Sequence, residues 1–578
     1  MMNNLKQTRH KLYHWSMLLL LILPLHVSLA ESIDEMETHP ELSDLPPAAV
    51  LPELPPLPAL PEDKNRLSTL DKVYVKVFKF EGNTVFSDDE LTKITKDYTG
   101  REISAEELQE VKNVITKYYV DAGYINSGAI IPDQTIGSRV ITLEIVEGKL
   151  IKVDVSGNEK VRMNYIKKRL EDEEGSALDI NELQTRLQRV QQNPLFRRIN
   201  AELGPGVNLG EAILTIQVEE ARPYQFGFAF DNHRSPSIGA YRGEITAEHR
   251  NLTGWGDKLY ARYGITEGLD DYMLEYSFPI TSGDTTLSIS AERSESQVIE
   301  QPFEQLNIGS DADTYGISLR HPFRWGIEKE LGVGVKLEKR QSKTFLLGGA
   351  YPFSPCTITE GKEGESNITM LRFFQDWLDR DRNHVIAARS SFSFEMDGLG
   401  DSVNECERIV TWLGQFQWVQ RMDFELFKDY EMLRSSQAIF RTDLQWAKND
   451  LIPLEKVSIG GASTVRGYRE NLLTRDNGFI TSLEWRIPLV RLPIPKISGT
   501  DDGWLKIAPF VDYGRAWNAD SETPDPKDIY SVGIGLRWAP SQKINTELYW
   551  GAALRDIPDP EDDDLQDKGV HFGITVEF

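Results

Sequence analysis

The chain ends with Gly569-Val-His-Phe-Gly-Ile-Thr-Val-Glu-Phe578, a stretch in which apolar and polar side chains alternate. Successive side chains of a strand point to opposite faces, so one face carries Phe572, Ile574, Val576 and Phe578. The other face carries His571, Gly573, Thr575 and Glu577. One apolar face, one polar face and a terminal aromatic residue are typical of an outer-membrane barrel strand. For this segment alone an ordinary half-buried strand is the simpler interpretation, so the rest of the sequence has to decide.

The same alternation recurs from Arg222 to the end of the chain, where helical periodicity disappears. About sixteen segments of roughly ten residues show it, for example residues 544–550. Short connections alternate with long polar ones along the chain. The short connections lie at 251–257, 379–383 and 540–542, and the long ones lie at 294–313, 341–366 and 556–569. Short periplasmic turns and long outer loops give that pattern. The pattern therefore predicts, for residues 222–578, an antiparallel transmembrane β-barrel of about sixteen strands.

The first thirty residues have the features of a secretory signal peptide. Lys6, Arg9 and Lys11 precede a short apolar run at 17–25, and Ser28-Leu29-Ala30 is a small-x-small cleavage site. We therefore assign residues 1–30 to the signal peptide. The rest of the sequence contains no stretch of eighteen or more apolar residues, the length that a membrane-spanning helix needs. Since only helices and closed barrels satisfy their backbone groups in lipid, a membrane protein with this sequence has to be a barrel.

Composition agrees with an exported barrel and excludes some partners. The mean hydropathy of −0.40 is too polar for a helical membrane protein, but half of each barrel strand faces water. The net charge of −26 argues against nucleic acid as a partner. A metal site is not expected from two cysteines and nine scattered histidines.

Cys356 and Cys406 lie in two successive long connections of the predicted barrel. In an oxidising compartment a single disulfide between neighbouring outer loops is the expected arrangement. The alternative is a pair of free loop thiols.

Residues 31–70 form an acidic segment followed by a proline-rich linker. The run from Leu45 to Pro61 is rich in proline, which favours an extended polyproline II spacer over a packed element. A recognition segment is the alternative interpretation.

Two similar units of about seventy residues follow, at 71–149 and 150–221. Each reads strand, Gly-Asn turn, two helices and a closing strand. In the first unit Ser87 with Glu90, and Ser104 with Glu107, have the spacing of capping boxes, which begin helices. The remaining predicted elements are strands at 73–80 and 140–146 in the first unit, and strands at 151–155 and 213–218 with helices near 162–171 and 180–192 in the second.

One connection of the barrel carries Gly460-Gly-Ala-Ser-Thr-Val-Arg-Gly-Tyr-Arg-Glu470, which contains Val465-Arg466-Gly467-Tyr468. Downstream lies Phe510-Val511-Asp512. This pair of motifs, on a barrel preceded by two tandem small domains, resembles the two-partner secretion transporters, the TpsB or hemolysin secretion/activation family. The small units then correspond to POTRA domains, and the resemblance covers nearly the whole mature chain.

The resemblance implies a sixteen-stranded barrel whose V-R-G-Y loop folds back into the lumen, where its arginine meets the aspartate of the F-x-D strand. The period-2 pattern supports this pairing, because Phe510 and Asp512 share the face opposite Val511, and Glu484 likewise faces inward. Glu484 and Asp512 would then give a buried Arg466 charged partners, and the planar guanidinium suits them. Gly467 allows a tight turn at the tip. An exposed loop cation is the alternative for Arg466.

The resemblance further implies an outer-membrane transporter with its POTRA domains in the periplasm. It would recognise an unfolded exoprotein, its TpsA-like partner, and pass it through the barrel to the cell surface. Outer-membrane lipid and the barrel assembly machinery are the other expected partners, and no cofactor or catalytic residue is expected. Phe578 is the C-terminal signature of the barrel.

Other functions remain open at the level of the sequence. A barrel-assembly insertase belongs to the same superfamily but usually has more POTRA units than the two readable here. A solute porin or an adhesive surface barrel would leave both small domains unexplained. An enzyme is a further class, but the sequence contains no G-x-S-x-G elbow, P-loop or H-E-x-x-H motif.

Overall fold

The structure, a computed structural model, describes residues 72–132, 134, 139–171, 175–353, 363–396, 408–425, 429–557 and 563–578. The predicted signal peptide, the proline-rich linker and the predicted Cys356–Cys406 disulfide lie outside the described residues. The chain divides into two compact units. Among the described residues, one unit comprises 72–222 with Thr253–Gly256, and the other comprises Pro223–Leu252 with Asp257–Phe578.

The first unit begins with an α+β domain. Its elements are β1 (Lys72–Val75), β2 (Val77–Glu81), α1 (Asp88–Ile94), β3 (Arg101–Ser104), α2 (Ala105–Asp121), β4 (Gly128–Ile130) and β5 (Val140–Val146). Its three-stranded sheet has the order β2-β5-β4, in which β2 runs parallel to β5 and β4 runs antiparallel to it, whereas β1 pairs with β3. The single strand predicted at 73–80 is wrong, because the chain passes from one sheet to another at Lys76.

Both predicted capping boxes of this domain are confirmed. Ser87 begins α1 and Ser104 begins α2, each with reciprocal hydrogen bonds to the glutamate three residues later. The backbone N–H of each serine donates to that glutamate, which lowers the pKa of Glu90 and of Glu107 below the ordinary value. The apolar faces of the helices bury Leu91, Val111, Ile115 and Tyr119 against the sheet.

The second α+β domain repeats the three-stranded sheet of the first. Its elements are β6 (Lys149–Ser156), α3 (Met163–Leu170), α4 (Ile180–Gln191), β7 (Phe196–Pro205) and β8 (Glu211–Glu220). The sheet has the order β6-β8-β7, in which β6 is parallel to β8 and β7 is antiparallel to it. The core is formed by both helices and the sheet and includes Ile166, Leu183, Leu214 and Ile216.

The Gly-Asn turns have the same construction in both domains. Gly82 has φ 89° and an added Cβ would lie 2.5 Å from the carbonyl oxygen of Ile145. Gly157 has φ 79° and an added Cβ would lie 2.3 Å from that of Val218. Only glycine fits this close approach to the closing strand. The repeated turn therefore sets the distance between β2 and the closing strand β5 in the first domain, and between the first strand and the closing strand in the second.

A glutamate at the end of each closing strand binds the backbone beyond the turn. Glu147 accepts hydrogen bonds from the N–H groups of Thr84 (2.7 Å) and Val85 (2.8 Å). Glu220 accepts from the N–H groups of Glu159 and Val161, each at 2.8 Å. Burial alone would raise the pKa of Glu147, but its hydrogen bonds lower it below the ordinary value.

The second unit is a closed antiparallel barrel. Its closed order contains seventeen strands, of which the two-residue β16 (Gly349–Ala350) extends a loop, which leaves sixteen. The others are β9 (Tyr224–Asp231), β10 (Arg242–Arg250), β11 (Lys258–Ile265), β12 (Leu269–Pro279), β13 (Thr286–Gln297), β14 (Gly309–Trp325), β15 (Lys329–Leu346), β17 (Glu365–Arg380), β18 (His384–Glu395), β19 (Val410–Arg421), β20 (Gln437–Ala447), β23 (Asn477–Arg491), β24 (Trp504–Trp517), β25 (Asp528–Ser541), β26 (Ile544–Ala553) and β27 (Val570–Glu577).

The last strand closes the barrel by pairing with the first, from Gly573 opposite Asp231 to Glu577 opposite Gly227. His571 is fully buried on the lumenal side, whereas Ile574 is exposed on the outer side. The N–H of Phe578 donates to the carbonyl oxygen of Phe226 at 2.9 Å. The barrel interpretation of this terminal segment is therefore correct, and the interpretation as an ordinary half-buried strand is wrong.

One predicted long connection of the barrel is shorter than the sequence suggested. Strand β13 continues to Gln297 and β14 begins at Gly309, so the predicted loop 294–313 shrinks to 298–308. Two short pieces lie inside a longer connection, β21 (Val457–Ile459) and β22 (Leu473–Arg475), and α5 (Glu431–Arg434) precedes β20. Across the described parts of the chain, every helix is too short or too polar to cross a membrane.

Candidate functional site

Residues 448–476, between β20 and β23, fold into the barrel and are here called the inner loop. Strands β21 and β22 pair antiparallel, with Val457 opposite Arg475 and Ile459 opposite Leu473, so the loop is a hairpin. Its tip carries Val465 and Tyr468 in a buried apolar cluster with the inward residues of the wall strands Ile480, Ala516 and Ile529. The V-R-G-Y motif thus lies in the lumen.

Glycines on the inner face of the wall make room for this tip. A Cβ on Gly514 of β24 would lie 2.8 Å from a methyl group of Val465. A Cβ on Gly551 of β26 would lie 2.7 Å from the backbone nitrogen of Gly467. Gly467 itself has φ 92°, and its own added Cβ would lie 2.8 Å from the carbonyl oxygen of Gly551. The tip and the wall therefore meet through backbone, which only glycine permits on both sides.

Arg466 at the tip is buried and binds two carboxylates of the wall. Its Nε donates to Asp512 Oδ2 at 2.8 Å and its Nη2 donates to Asp512 Oδ1 at 2.9 Å. Its backbone N–H donates to the same Oδ2 at 3.0 Å. Nη1 donates to Glu484 on the neighbouring strand. The planar fork of a guanidinium allows this bidentate pairing, which a lysine ammonium cannot reproduce.

The two carboxylates have partners of their own, which fix their orientation. Ser482 Oγ donates to Asp512 Oδ1 at 2.6 Å and accepts from Arg466 Nη2 at 3.1 Å. Arg486 Nε donates to Glu484 Oε1 at 2.6 Å, and the Tyr549 hydroxyl donates to the same oxygen at 3.1 Å. Each buried charge is thus paired and hydrogen-bonded, as a low-dielectric site requires.

Two aromatic rings complete the seat of the guanidinium. The Cζ of Arg466 lies 3.6 Å from the ring centre of Phe510 and 4.8 Å from that of Tyr549. The electron-rich ring faces attract the cation and exclude water from it. Phe510 therefore contributes to the site through its ring face, next to the Asp512 carboxylate on the same side of β24.

The rest of the motif contacts strands near the barrel seam. The N–H of Gly467 donates to His571 Nε2 at 3.2 Å, which places the proton of a neutral His571 on Nδ1. The Tyr468 hydroxyl donates to the carbonyl oxygen of Tyr530 at 2.9 Å and accepts from the N–H of Arg555 at 3.0 Å. The tip is therefore bonded to β25, to β27 and to Arg555 just after β26, as well as to β23 and β24.

The residue after the motif extends these contacts to the connections between strands. Arg469 pairs with Asp567, between β26 and β27, and with Glu300, between β13 and β14. The N–H of Glu470 donates to the side-chain oxygen of Gln566 at 2.9 Å. The inner loop is thus linked to two of the connections predicted to lie outside the cell.

The structure brings together the predicted Arg466, Glu484, Phe510 and Asp512, and it places Val465, Gly467 and Tyr468 around them. Phe578 lies apart, at the end of β27. The sequence interpretation did not identify Tyr549 or His571 as part of the site, although both occupy the polar face of an alternating strand. Among the residues that the structure describes, no group of three or more histidine, cysteine, aspartate or glutamate residues could hold a metal ion.

Similarity to known protein families identifies the family of this chain. The model of the haemolysin secretion/activation protein ShlB/FhaC/HecB matches residues 210–538, more than half of the chain. The chain belongs to the haemolysin secretion/activation family. A ShlB-type POTRA domain model matches residues 73–148, the first α+β domain. The predicted family is thereby confirmed.

Individual relatives agree with the family match. The chain is 22% identical over 490 residues to the outer membrane transporter CdiB of Dickeya dadantii, covering 81% of each chain. It is 26% identical over 493 residues to the heme/hemopexin transporter protein HuxB of Haemophilus influenzae, covering 80% of each. The solved structure of CdiB from Escherichia coli has a TM-score of 0.68 at 17% identity, over 95% of this chain and 97% of that one, which shows the same fold.

These findings confirm the predicted fold class, a sixteen-stranded transmembrane barrel preceded by tandem POTRA domains. The chain is an outer-membrane transporter of two-partner secretion, and its POTRA domains lie in the periplasm. The family is made up of transporters. The barrel-assembly insertase is not favoured, because the family model that matches is that of the secretion transporters.

Proposed function

We propose that the inner loop is the gate through which this transporter passes an unfolded exoprotein to the cell surface. The observation that carries this proposal is the clamp formed by Arg466 with Glu484 and Asp512 inside the lumen. A chain that crosses the barrel has to displace the loop, because the tip reaches from β23 and β24 to β27.

A buried ion cluster suits a gate that must close in one position and still open. Removing a charge from water costs several kcal/mol, and the Coulomb attraction of the pair offsets that cost only when the geometry is good. A loop that docks slightly out of place would leave Asp512 buried without its partner. When the lumen fills with water, both the arginine and the carboxylates regain hydration. The clamp therefore selects one closed position more strongly than it opposes opening.

The POTRA domains recognise the exoprotein by adding one of its extended segments to a sheet edge. Strands β2 and β4 are the edges of the first sheet, and β6 and β7 are those of the second. On β4, the N–H of Ala129 donates to Thr116 Oγ1 at 3.1 Å, and on β7, the N–H of Ile199 donates to Gln191 Oε1 at 2.7 Å. An added strand exchanges such side-chain caps for its own carbonyl oxygens, so recognition reads backbone more than side chains.

Outer-membrane lipid covers the apolar outer face of the barrel. Exposed aromatic and aliphatic side chains alternate with less exposed residues along the strands, and they include Phe226, Phe228, Phe230, Ile317, Trp377, Trp418, Leu483, Val511, Trp550 and Ile574. The barrel assembly machinery inserts the chain and reads the terminal strand that ends at Phe578. Folding of the exoprotein outside the cell supplies the driving force for transport.

Deleting the gene and comparing culture supernatant, surface and outer-membrane proteomes tests the transport proposal. We expect one large exoprotein to vanish from the outside and to return on complementation with the wild-type chain. Complementation with Asp512→Asn, which leaves Arg466 paired only with Glu484, should restore the barrel in the membrane but little of the exoprotein. Unchanged secreted proteins with depleted outer-membrane barrels would contradict the proposal and favour an insertase.

A further inference from the structure

A second buried ion cluster holds the first arm of the inner loop, residues 448–456, at a place that the V-R-G-Y motif does not reach. Its centre is Glu455, which is buried although it lies in a connection between strands. Arg372 Nη2 donates to Glu455 Oε1 at 2.8 Å and to Oε2 at 3.0 Å. Arg340 Nη1 donates to Oε1 at 2.9 Å. Two wall arginines thus grip one loop carboxylate.

The wall residues of this cluster form further ion pairs and hydrogen bonds. Arg372 Nε donates to Glu338, and Arg372 Nη1 donates to Ser393 Oγ at 2.7 Å. Lys336 lies 2.8 Å from the other oxygen of Glu338. Arg340 also donates to the carbonyl oxygen of Leu454 at 3.1 Å. Arg340 thus binds both the backbone and a side chain of the arm. Its bonds therefore depend on the position of the arm as well as on the charge of Glu455.

Apolar packing and a glutamine set the arm in the same place. Leu451 and Ile452 are buried in a cluster with Ile368 and Met370 of β17. Gln445 Nε2 donates to the carbonyl oxygen of Glu455 at 2.8 Å and to that of Asp476 at 3.1 Å. This side chain therefore joins the outgoing arm of the loop to its returning end.

The two clusters grip the loop on opposite sides of its origin in the wall. In the order of the barrel strands, Arg372 on β17 and Arg340 on β15 lie three and four strands before β20. Glu484 on β23 and Asp512 on β24 lie one and two strands after it. Releasing either cluster alone leaves the loop fastened to the wall on the other side.

We propose that Glu455, with Arg340 and Arg372, is a second latch of the inner loop, and that the pore opens fully only when both latches are released. This inference rests on the proposed gating role of the loop. Glu455 is a positioning residue, because its bonds to Arg340 and Arg372 fix the position of the first arm of the loop. The exoprotein, or a conformational change that its binding induces, has to break two ion clusters before the pore opens fully. The pore therefore stays closed to small solutes when no exoprotein is being transported.

Channel recordings of the purified full-length protein in planar lipid bilayers test the second latch. The variants are Glu455→Gln, Arg466→Ala and their combination, and the matched control is Glu330→Gln. Glu330 also accepts from two wall arginines, Arg320 at 2.8 Å and Arg324 at 2.8 Å, but it does not pair with the inner loop. Heat-modifiable migration on gels verifies that each barrel is folded.

We expect Glu455→Gln to raise the fraction of time in the large-conductance state by about tenfold or more. The combined variant should raise it further than either single variant, because the latches are separate, whereas Glu330→Gln should resemble wild type. Glu455→Asp keeps the charge and should return part of the way to wild type. Wild-type gating by a folded Glu455→Gln would overturn the second latch.

Further variants keep the test decisive. If Glu455→Gln does not fold, Arg340→Gln is the substitute, because it removes the bonds to Glu455 and Leu454 and leaves Arg372 paired with Glu338. It should also raise the fraction of time in the large-conductance state, and wild-type gating by it would overturn the latch. Opening by Glu455→Gln but not by Arg466→Ala would support the second latch and contradict the proposed role of Arg466. The reverse result would contradict the second latch alone.

Discussion

Replacing Arg466 by alanine removes the central contact of the gate. The variant loses the side-chain bonds to Asp512, Glu484 and Ser482 and the contact with the Phe510 ring. Two carboxylates then remain in a buried site without their shared cation. The variant keeps the barrel strands and their apolar outer face, so we expect normal insertion into the outer membrane.

The size of the effect follows from the partners that remain. Breaking a buried pair by removing one partner costs about 3–5 kcal/mol, because an uncompensated charge stays buried. Glu484 keeps Arg486, but Asp512 keeps only Ser482 and the backbone N–H of residue 466. We therefore expect the docked position of the loop to lose about 3 kcal/mol, which shifts its equilibrium on the order of a hundredfold.

Secretion of the exoprotein and channel recordings measure this shift. We expect Arg466→Ala to secrete poorly and to spend more time in open states, and Arg466→Lys to fall between it and wild type, because lysine keeps the charge and loses the fork. Arg293→Ala is the matched control, since Arg293 pairs with Glu295 on the exposed part of β13, where such pairs contribute little.

A double-mutant cycle separates the contribution of the Arg466–Asp512 ion pair from nonspecific destabilisation of the protein. Asp512→Asn alone should resemble Arg466→Ala, and the two changes together should cost less than the sum of the single effects, because they remove the same contact. Strictly additive effects would show that the two residues act independently. Wild-type secretion and gating by a folded Arg466→Ala variant would refute the role of this residue in the gate.

Three further changes probe other parts of the chain. Gly467→Ala forces a Cβ to within 2.8 Å of the Gly551 carbonyl oxygen at φ 92°, so it should undock the loop and reproduce the open channels of the arginine variant in bilayer recordings. Glu147→Gln should destabilise the first POTRA domain by about 1–3 kcal/mol at neutral pH, seen as faster hydrogen exchange at Thr84. Because hydrogen bonds keep the pKa of Glu147 low in the folded state, this stabilisation is present above the ordinary glutamate pKa and disappears as the pH falls through the lowered one. Leu214→Ala should cost the second POTRA domain about 2–5 kcal/mol, measured by hydrogen exchange across β8 in the full-length protein, and unchanged exchange would contradict its place in the core.

Local patterns predicted the parts of the fold that local physics controls. The capping boxes at Ser87 and Ser104 depend on bonds within one helical turn, so their spacing alone located both helix starts. The period of two predicted which face of β24 carries Phe510 and Asp512, because side-chain direction in a strand follows from the backbone. The strand at 73–80 failed, because its break at Lys76 depends on two different partner strands.

The candidate site was predictable only in part. The V-R-G-Y motif predicted Arg466 as a site residue. The alternation in β23 and β24 predicted that Glu484 and Asp512 face inward as its partners. Tyr549 and His571 were not identified, because many inward polar residues look alike in sequence and only the path of the loop distinguishes them.

The sequence by itself determined the barrel, the tandem small domains before it and the residue types of the first clamp. Only the tertiary structure showed that Glu455 meets Arg372, 83 residues away in the chain, and Arg340, 115 residues away. Alternation and capping act over a few residues, so they define strands, faces and helix ends. The closed barrel brings parts of the wall that are distant in the chain around the loop, and this arrangement decides which strands the loop contacts. A local sequence pattern contains no information about contacts over such distances.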